Sequence, residues 1–194
     1  MTCKTRSNLA LTFMLVAGTG AIVAPHRTSA QTPAPAATAA VTPPSGPIGE
    51  VQGSYNRLKG YILKAADNTP AEDYQVKPTP EIRTFARVVE HVIEAQNHVC
   101  GALNHTAPAD MAKTPADTAD KAAIIDGLKA SFAECDKAYA AASTTNMTDI
   151  VDMGPVKRSR IGLLWGNVSH DNEQYATLAL YMRLKGLVPP SSEK

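Results

Sequence analysis

The residues of this 194-residue chain best suited to chemistry are its histidines and cysteines. The closing stretch SHDNEQYATLALYMRLKGLVPPSS, Ser169–Ser192, carries His170 and, four residues on, Gln174. Residues four apart on a helix are neighbours on one face, which is why a His-x3-His pair can hold one metal ion. Here the second position is an amide. A Gln carbonyl oxygen can coordinate, but it is neutral and harder than imidazole, whereas zinc and similar ions prefer nitrogen or sulfur. Glu173, three residues after His170, offers a carboxylate by a different side-chain path. Two readings stay open: a metal-binding helix short of one strong ligand, or a polar face turned to solvent.

The other histidines do not form a set by spacing alone. His91, His98 and His105 recur every seven residues, and a heptad rises about 10.5 Å along a helix axis, too far for one ion. His98 is expected to pair with Glu94, four residues earlier, and His105 to lie in a loop. Cys100 and Cys135 have no base partner nearby in sequence, nor has Ser131. There is no Gly-rich phosphate loop, no nucleophile elbow and no CxxC.

These residues need elements to position them, and four helices suffice. Helix one is expected over Gly49–Asp67, with Val51, Tyr55, Leu58, Ile62 and Ala66 on one face. Helix two is expected over Thr84–Leu103, capped by Thr84, with Thr79-Pro80 an alternative start. Its stripe is Phe85, Val88, Val89, Val92, Val99 and Leu103, interrupted by Gln96. Helix three spans Thr118–Ala142, with Ile124, Ile125, Leu128, Phe132, Cys135 and Tyr139 aligned. Helix four spans Ser159–Lys185, with Ile161, Leu164, Trp165, Val168, Tyr175, Leu178, Ala179 and Met182 aligned, and Gly186 closing it. His170 falls about 180° from Ile161 on the wheel. It and Gln174 would sit off the stripe, beside Leu163 and Tyr181, where they could line a pocket at the bundle mouth. No alternating strand pattern and no repeat is found, so the fold expected is an all-α four-helix bundle.

The connection from Asn104 to Asp117 is 14 residues long. Extended, it reaches about 45 Å, more than the roughly 30 Å of a 20-residue helix, so helices two and three are free to run parallel. In that order Cys100 and Cys135 come at nearly one level, since each lies 16 or 17 residues past its helix start. A disulfide is then within reach; two buried free thiols are the alternative.

Ahead of the bundle, residues 1–30 have the build of a secretory signal: Lys4 and Arg6, then an apolar run, then small residues ending in Ala30. The run is short for a membrane anchor. Residues 31–47, QTPAPAATAAVTPPSGP, lack charge and large apolar groups and read as a linker. The folded domain is thus 48–194, in a periplasmic or secreted protein. Loss of Lys4, Arg6 and Arg27 takes the formal charge from +1 to −2, which gives no electrostatic case for nucleic acid or, after signal cleavage, for membrane. Exported cysteines meet an oxidising compartment.

Three stretches, PEIRTFARVVEHVIEAQNHVC, LKASFAECDKAY and HDNEQYATLALYMRLKGLVPPSS, resemble the second, third and fourth helices of the DinB-like superfamily, whose fourth helix commonly reads His-Asp-Asn-Glu-His-Tyr-Gly. The resemblance spans about Ile48–Ser192. It implies a bundle in up-down-down-up order, with helices two and three parallel. It also implies a divalent-metal site, zinc or nickel, with His91 as first ligand, His170 as second and Gln174 in the place of the third; Ala176 replaces the usual Gly. With that imidazole lost, a weak metal site or none is expected. Family activities include thiol-dependent transfer and hydrolysis of small molecules, so the resemblance points to a metal-dependent transferase or hydrolase. A non-catalytic bundle that binds a small ligand or a protein partner is the alternative, and a homodimer is a further option. The sequence leaves open whether the chain is an enzyme.

Overall fold

The computed structural model describes residues 46–194; the signal expected over residues 1–30 and residues 31–45 of the linker expected over 31–47 lie outside them. Four helices make up the fold: α1 (Gly46–Asn68), α2 (Phe85–Asn104), α3 (Lys121–Ala140) and α4 (Arg160–Leu184). Each of the last three starts on a side-chain oxygen that accepts an orphan amide of the first turn. Thr84 takes the Arg87 N–H at 3.1 Å, Asp120 that of Ala123 at 2.8 Å, and Ser159 that of Gly162 at 3.2 Å. The alternative start at Thr79-Pro80 is not used; Pro80 lies in a turn. Gly46 and Pro47, read as the end of the linker, instead form the first turn of α1, where a proline fits because its missing N–H would be unpaired anyway. After α4, Gly186 takes a left-handed φ of 74° and lets Leu187 N–H reach back to Met182 O at 2.8 Å.

Cross-helix contacts give the order. Between α2 and α3 they rise together: Ser131 Oγ donates to Gln96 Oε1, Cys100 is bonded to Cys135, and Asn104 Nδ2 donates to Glu134 O. The two helices are parallel. Against α4, α2 runs the other way, from Arg83 beside Tyr181 to His91 beside His170. Gln52 bonds Tyr139 O and Lys121 bonds Asp67 O, so α1 and α3 are antiparallel too. The bundle is up-down-down-up. Cys100 and Cys135 have Cα atoms 4.9 Å apart and form a disulfide.

The long α2–α3 crossover lies flat on its helices. The Met111 side chain covers Gly101, and a Cβ on Gly127 would meet the Pro115 ring at 2.8 Å. Both glycines are there for close approach rather than for backbone freedom. Before α4 the chain makes a hairpin that the sequence reading did not anticipate, β1 (Ile150–Asp152) against β2 (Lys157–Ser159), antiparallel. Its strands are three residues long and mostly exposed, too short for a period of two to show. It delivers Ser159 to cap α4.

The core holds every stripe residue named for the first three helices except Val99, which is half-buried. α4 departs from its reading. Trp165 is 39% exposed, while Leu163, Asn167, Asp171, Gln174 and Tyr181 are buried. Because α4 packs against both α1 and α2, its buried face is far wider than one stripe.

Candidate metal centre

α2 and α4 cross where His91 and His170 meet. Their Nε2 atoms are 3.2 Å apart, with the rings edge to face at 70°. Both side chains are partly accessible, 30% and 25%. Behind each ring stands a carboxylate: Glu94 Oε2 lies 3.6 Å from His91 Nδ1, and Asp171 Oδ1 3.9 Å from His170 Nδ1. The two outer nitrogens therefore face acceptors and the two inner nitrogens face each other. Burial lowers the His91 pKa; the charges of Arg83 and His170 lower it further, and Glu94 only partly opposes them. Below its usual range, His91 is neutral at pH 7, with a lone pair to offer.

Glu94 does not pair with His98 as expected. It takes Arg87 Nη2 at 3.0 Å as well as facing His91, since a guanidinium is the stronger partner for a carboxylate. His105 closes α2 with a left-handed φ of 57°. Gln174 is on the inside: one turn along from His170, it is 7% exposed, whereas Glu173 is exposed. The face read as off the core is thus packed against α2 rather than bathed in solvent.

Beneath His170 lies a buried polar cluster that the sequence reading missed. Asp171 has no exposure at all. Burial pushes its carboxyl up, and His170, Gln96 and Asn167 hold it back. Asn167 Nδ2 donates to Asp171 Oδ2 at 3.2 Å and lies 3.3 Å from the Tyr139 hydroxyl, which donates to Leu164 O at 2.9 Å. Gln96, read only as an interruption of an apolar stripe, is wholly buried and accepts from Ser131 at 2.6 Å. Gln96 Nε2, Asn167 Oδ1, Asp171 Oδ1 and His170 Nδ1 lack a hydrogen-bond partner. A signal existed: Asn167, Asp171 and Gln174 recur at spacings of four and three, a polar stripe of helical period. On α2, next to His91, Glu90 is nearly as buried. Burial, reinforced by the charge of Asp117 against that of Arg87, pushes its carboxyl up to about 7.

Among the described residues no three His, Cys, Asp or Glu side chains gather as a metal set. What the site presents is two imidazoles with carboxylates behind them. Two ligands on one tetrahedral zinc, each about 2.05 Å from it, stand about 3.3 Å apart, close to the observed 3.2 Å. A carboxylate hydrogen-bonded behind a ligating histidine orients its ring; Glu94 and Asp171 stand on that side of the rings, at 3.6 and 3.9 Å, longer than a hydrogen bond. Two imidazoles, short of the three protein ligands of a catalytic zinc site, fit only a weakly held divalent ion.

No curated protein matches the chain. Among solved structures, a DinB-like protein from Bacillus cereus shares 18% identity at a TM-score of 0.61, over 72% of this chain and 93% of that one. A conserved protein from Enterococcus faecalis shares 16% at 0.56, over 70% and 94%. A variant of a mycothiol-dependent maleylpyruvate isomerase shares 12% at 0.56, over 69% of this chain but 61% of that one. At these identities the likeness is one of fold. The family model of the DinB superfamily matches residues 55–178, a span that runs from the middle of α1 through His91, His170 and Gln174 into α4, and the chain belongs to that superfamily.

Proposed function

We propose that this is an exported DinB-superfamily protein whose His91 and His170 take up a divalent cation weakly, with Gln174 in the third ligand position, in support of a metal-dependent transferase or hydrolase reaction on a small molecule. The observation that carries the reading is the approach of the two Nε2 atoms to 3.2 Å, each ring backed by a carboxylate. Zinc or nickel suits imidazole donors, and such an ion would polarise a substrate oxygen as a Lewis acid. The chain itself holds the rings in place, keeps His91 neutral and screens the inner carboxylate from solvent. Export is supported by the Ala30-terminated leader and by a disulfide of a kind that persists in oxidising compartments.

The amide at Gln174 favours a second reading, in which the bundle binds a small ligand or a protein partner without turnover. Zinc calorimetry on the mature protein and on Gln174→His separates the two. Loss of a mere supporting group costs a metal site about 10–100-fold, so restoring a direct imidazole should tighten binding at least about tenfold. If Gln174→His binds no better, the two histidines are not arranged as a site. Tight stoichiometric metal in the wild type would instead make the present donor set fully competent, and the weak-site reading would fail.

A further inference from the structure

On the opposite side of α4 lies a second site that the metal reading leaves untouched. A groove of about 380 Å³ opens between α1 and α4. Its floor is carbon: Tyr61 and Tyr175, stacked with ring centroids 5.2 Å apart, and Ala179. Its rim carries Arg57, Arg183 and Asn172. Asn172 is two residues past His170, which turns it about 200° around the helix, so the groove and the histidine pair face different neighbours.

Neither arginine forms an ion pair with a carboxylate among the described residues, and no Asp or Glu lines the groove. Arg183 spends one nitrogen on Ser192 Oγ at 2.9 Å, and the Ser191 N–H donates to the Tyr175 hydroxyl at 2.8 Å. These two bonds fold the C-terminal tail along the groove and fix its edge. By contrast, Lys59 pairs with Asp136, Lys64 with Glu193 and Lys185 with Asp73. The groove therefore holds two planar cations without anions, above an aromatic floor.

We propose that this groove binds a small aromatic carboxylate. A guanidinium presents parallel N–H groups that match both oxygens of a carboxylate. Stacked tyrosines and alanine methyls suit a flat apolar body. The volume lies at the lower end of small-ligand sites, room for a single ring and not for a nucleotide.

Calorimetric titration with benzoate, acetate and benzylamine tests it. Benzoate should bind saturably, acetate several-fold more weakly for want of the ring, and benzylamine not at all. Arg57→Ala removes an exposed side chain and should weaken benzoate about tenfold, the loss of one charge-assisted contact. Arg183→Lys keeps the charge and loses the fork, and should weaken it several-fold. His91→Ala should leave benzoate binding unchanged, so failure of the metal reading would not disturb this result. No saturable benzoate signal, equal binding of benzylamine, benzoate binding indifferent to Arg57→Ala and Arg183→Lys, or its loss in His91→Ala would each overturn the assignment.

Discussion

Buried carboxylates in this bundle go two ways, and their partners decide which. Asp171 and Glu90 are pushed up, because burial outweighs what their neighbours offer. Glu134 is also largely buried, which by itself would raise it, but bonds from Thr106, Asn104 and Lys137 hold it below its usual range. A carboxyl whose folded pKa lies below its unfolded value of 4.5 stabilises the fold above that pH and stops doing so as pH falls through the folded value. Glu134→Gln should therefore cost about 1 kcal/mol at pH 7, and the gap to wild type should narrow as pH falls below 4.5. Urea denaturation at several pH values measures this; a gap independent of pH would mean that the charge of Glu134 contributes nothing. At this scale the sequence was legible where a residue type has one habitual partner, as for the Thr84 cap. It was not legible where several partners compete. Glu94 had His91, Arg87 and His98 within helical reach, and only the fold chose between them. Gln96 looked like a flaw in a stripe because its partner, Ser131, is 35 residues away.

Helix periods exposed most of the elements, and the stripes of α1, α2 and α3 became the core. α4 was harder to read, since a helix buried on two sides has no single stripe, and His170 and Gln174 were read as lying off the core face. The crossover length permitted parallel α2 and α3, and that order brought the two cysteines to one level, with a disulfide or two free thiols both open until the structure showed the bond. In the chain-entropy account, the bridge limits the unfolded chain by closing a loop between residues 35 apart in sequence. Cys100→Ser with Cys135→Ser should then lose about 3 to 4 kcal/mol and lower the melting temperature by roughly 10 °C, read by scanning calorimetry. An unchanged melting point would show that packing alone holds the two helices in register. The crossover adds its own restraint. Gly127→Ala should cost about 1–3 kcal/mol by driving a Cβ against the rigid Pro115 ring, and Gly101→Ala less, because the Met111 side chain can swing aside. Equal costs would mean that the loop yields as easily at both points.

At the scale of the whole molecule, the match to the DinB superfamily covers residues 55–178, while the reading of residues 1–30 as a secretory leader rests on composition alone. Protein made in an exporting host should begin near Gln31, as mass spectrometry of the intact chain will show; a soluble protein that retains Met1 would remove the case for export. No helix among the described residues is long and apolar enough to cross a membrane. The place of the disulfide has a consequence for how this molecule survives damage. Cys100 lies before the crossover and Cys135 beyond it, so a single protease cut anywhere between Thr106 and Asp120 severs the backbone without separating the pieces. The nicked protein would run as one band on a gel without reductant and as two with it. His91 and His170, on separate fragments of the cut chain, would stay joined by a covalent tie.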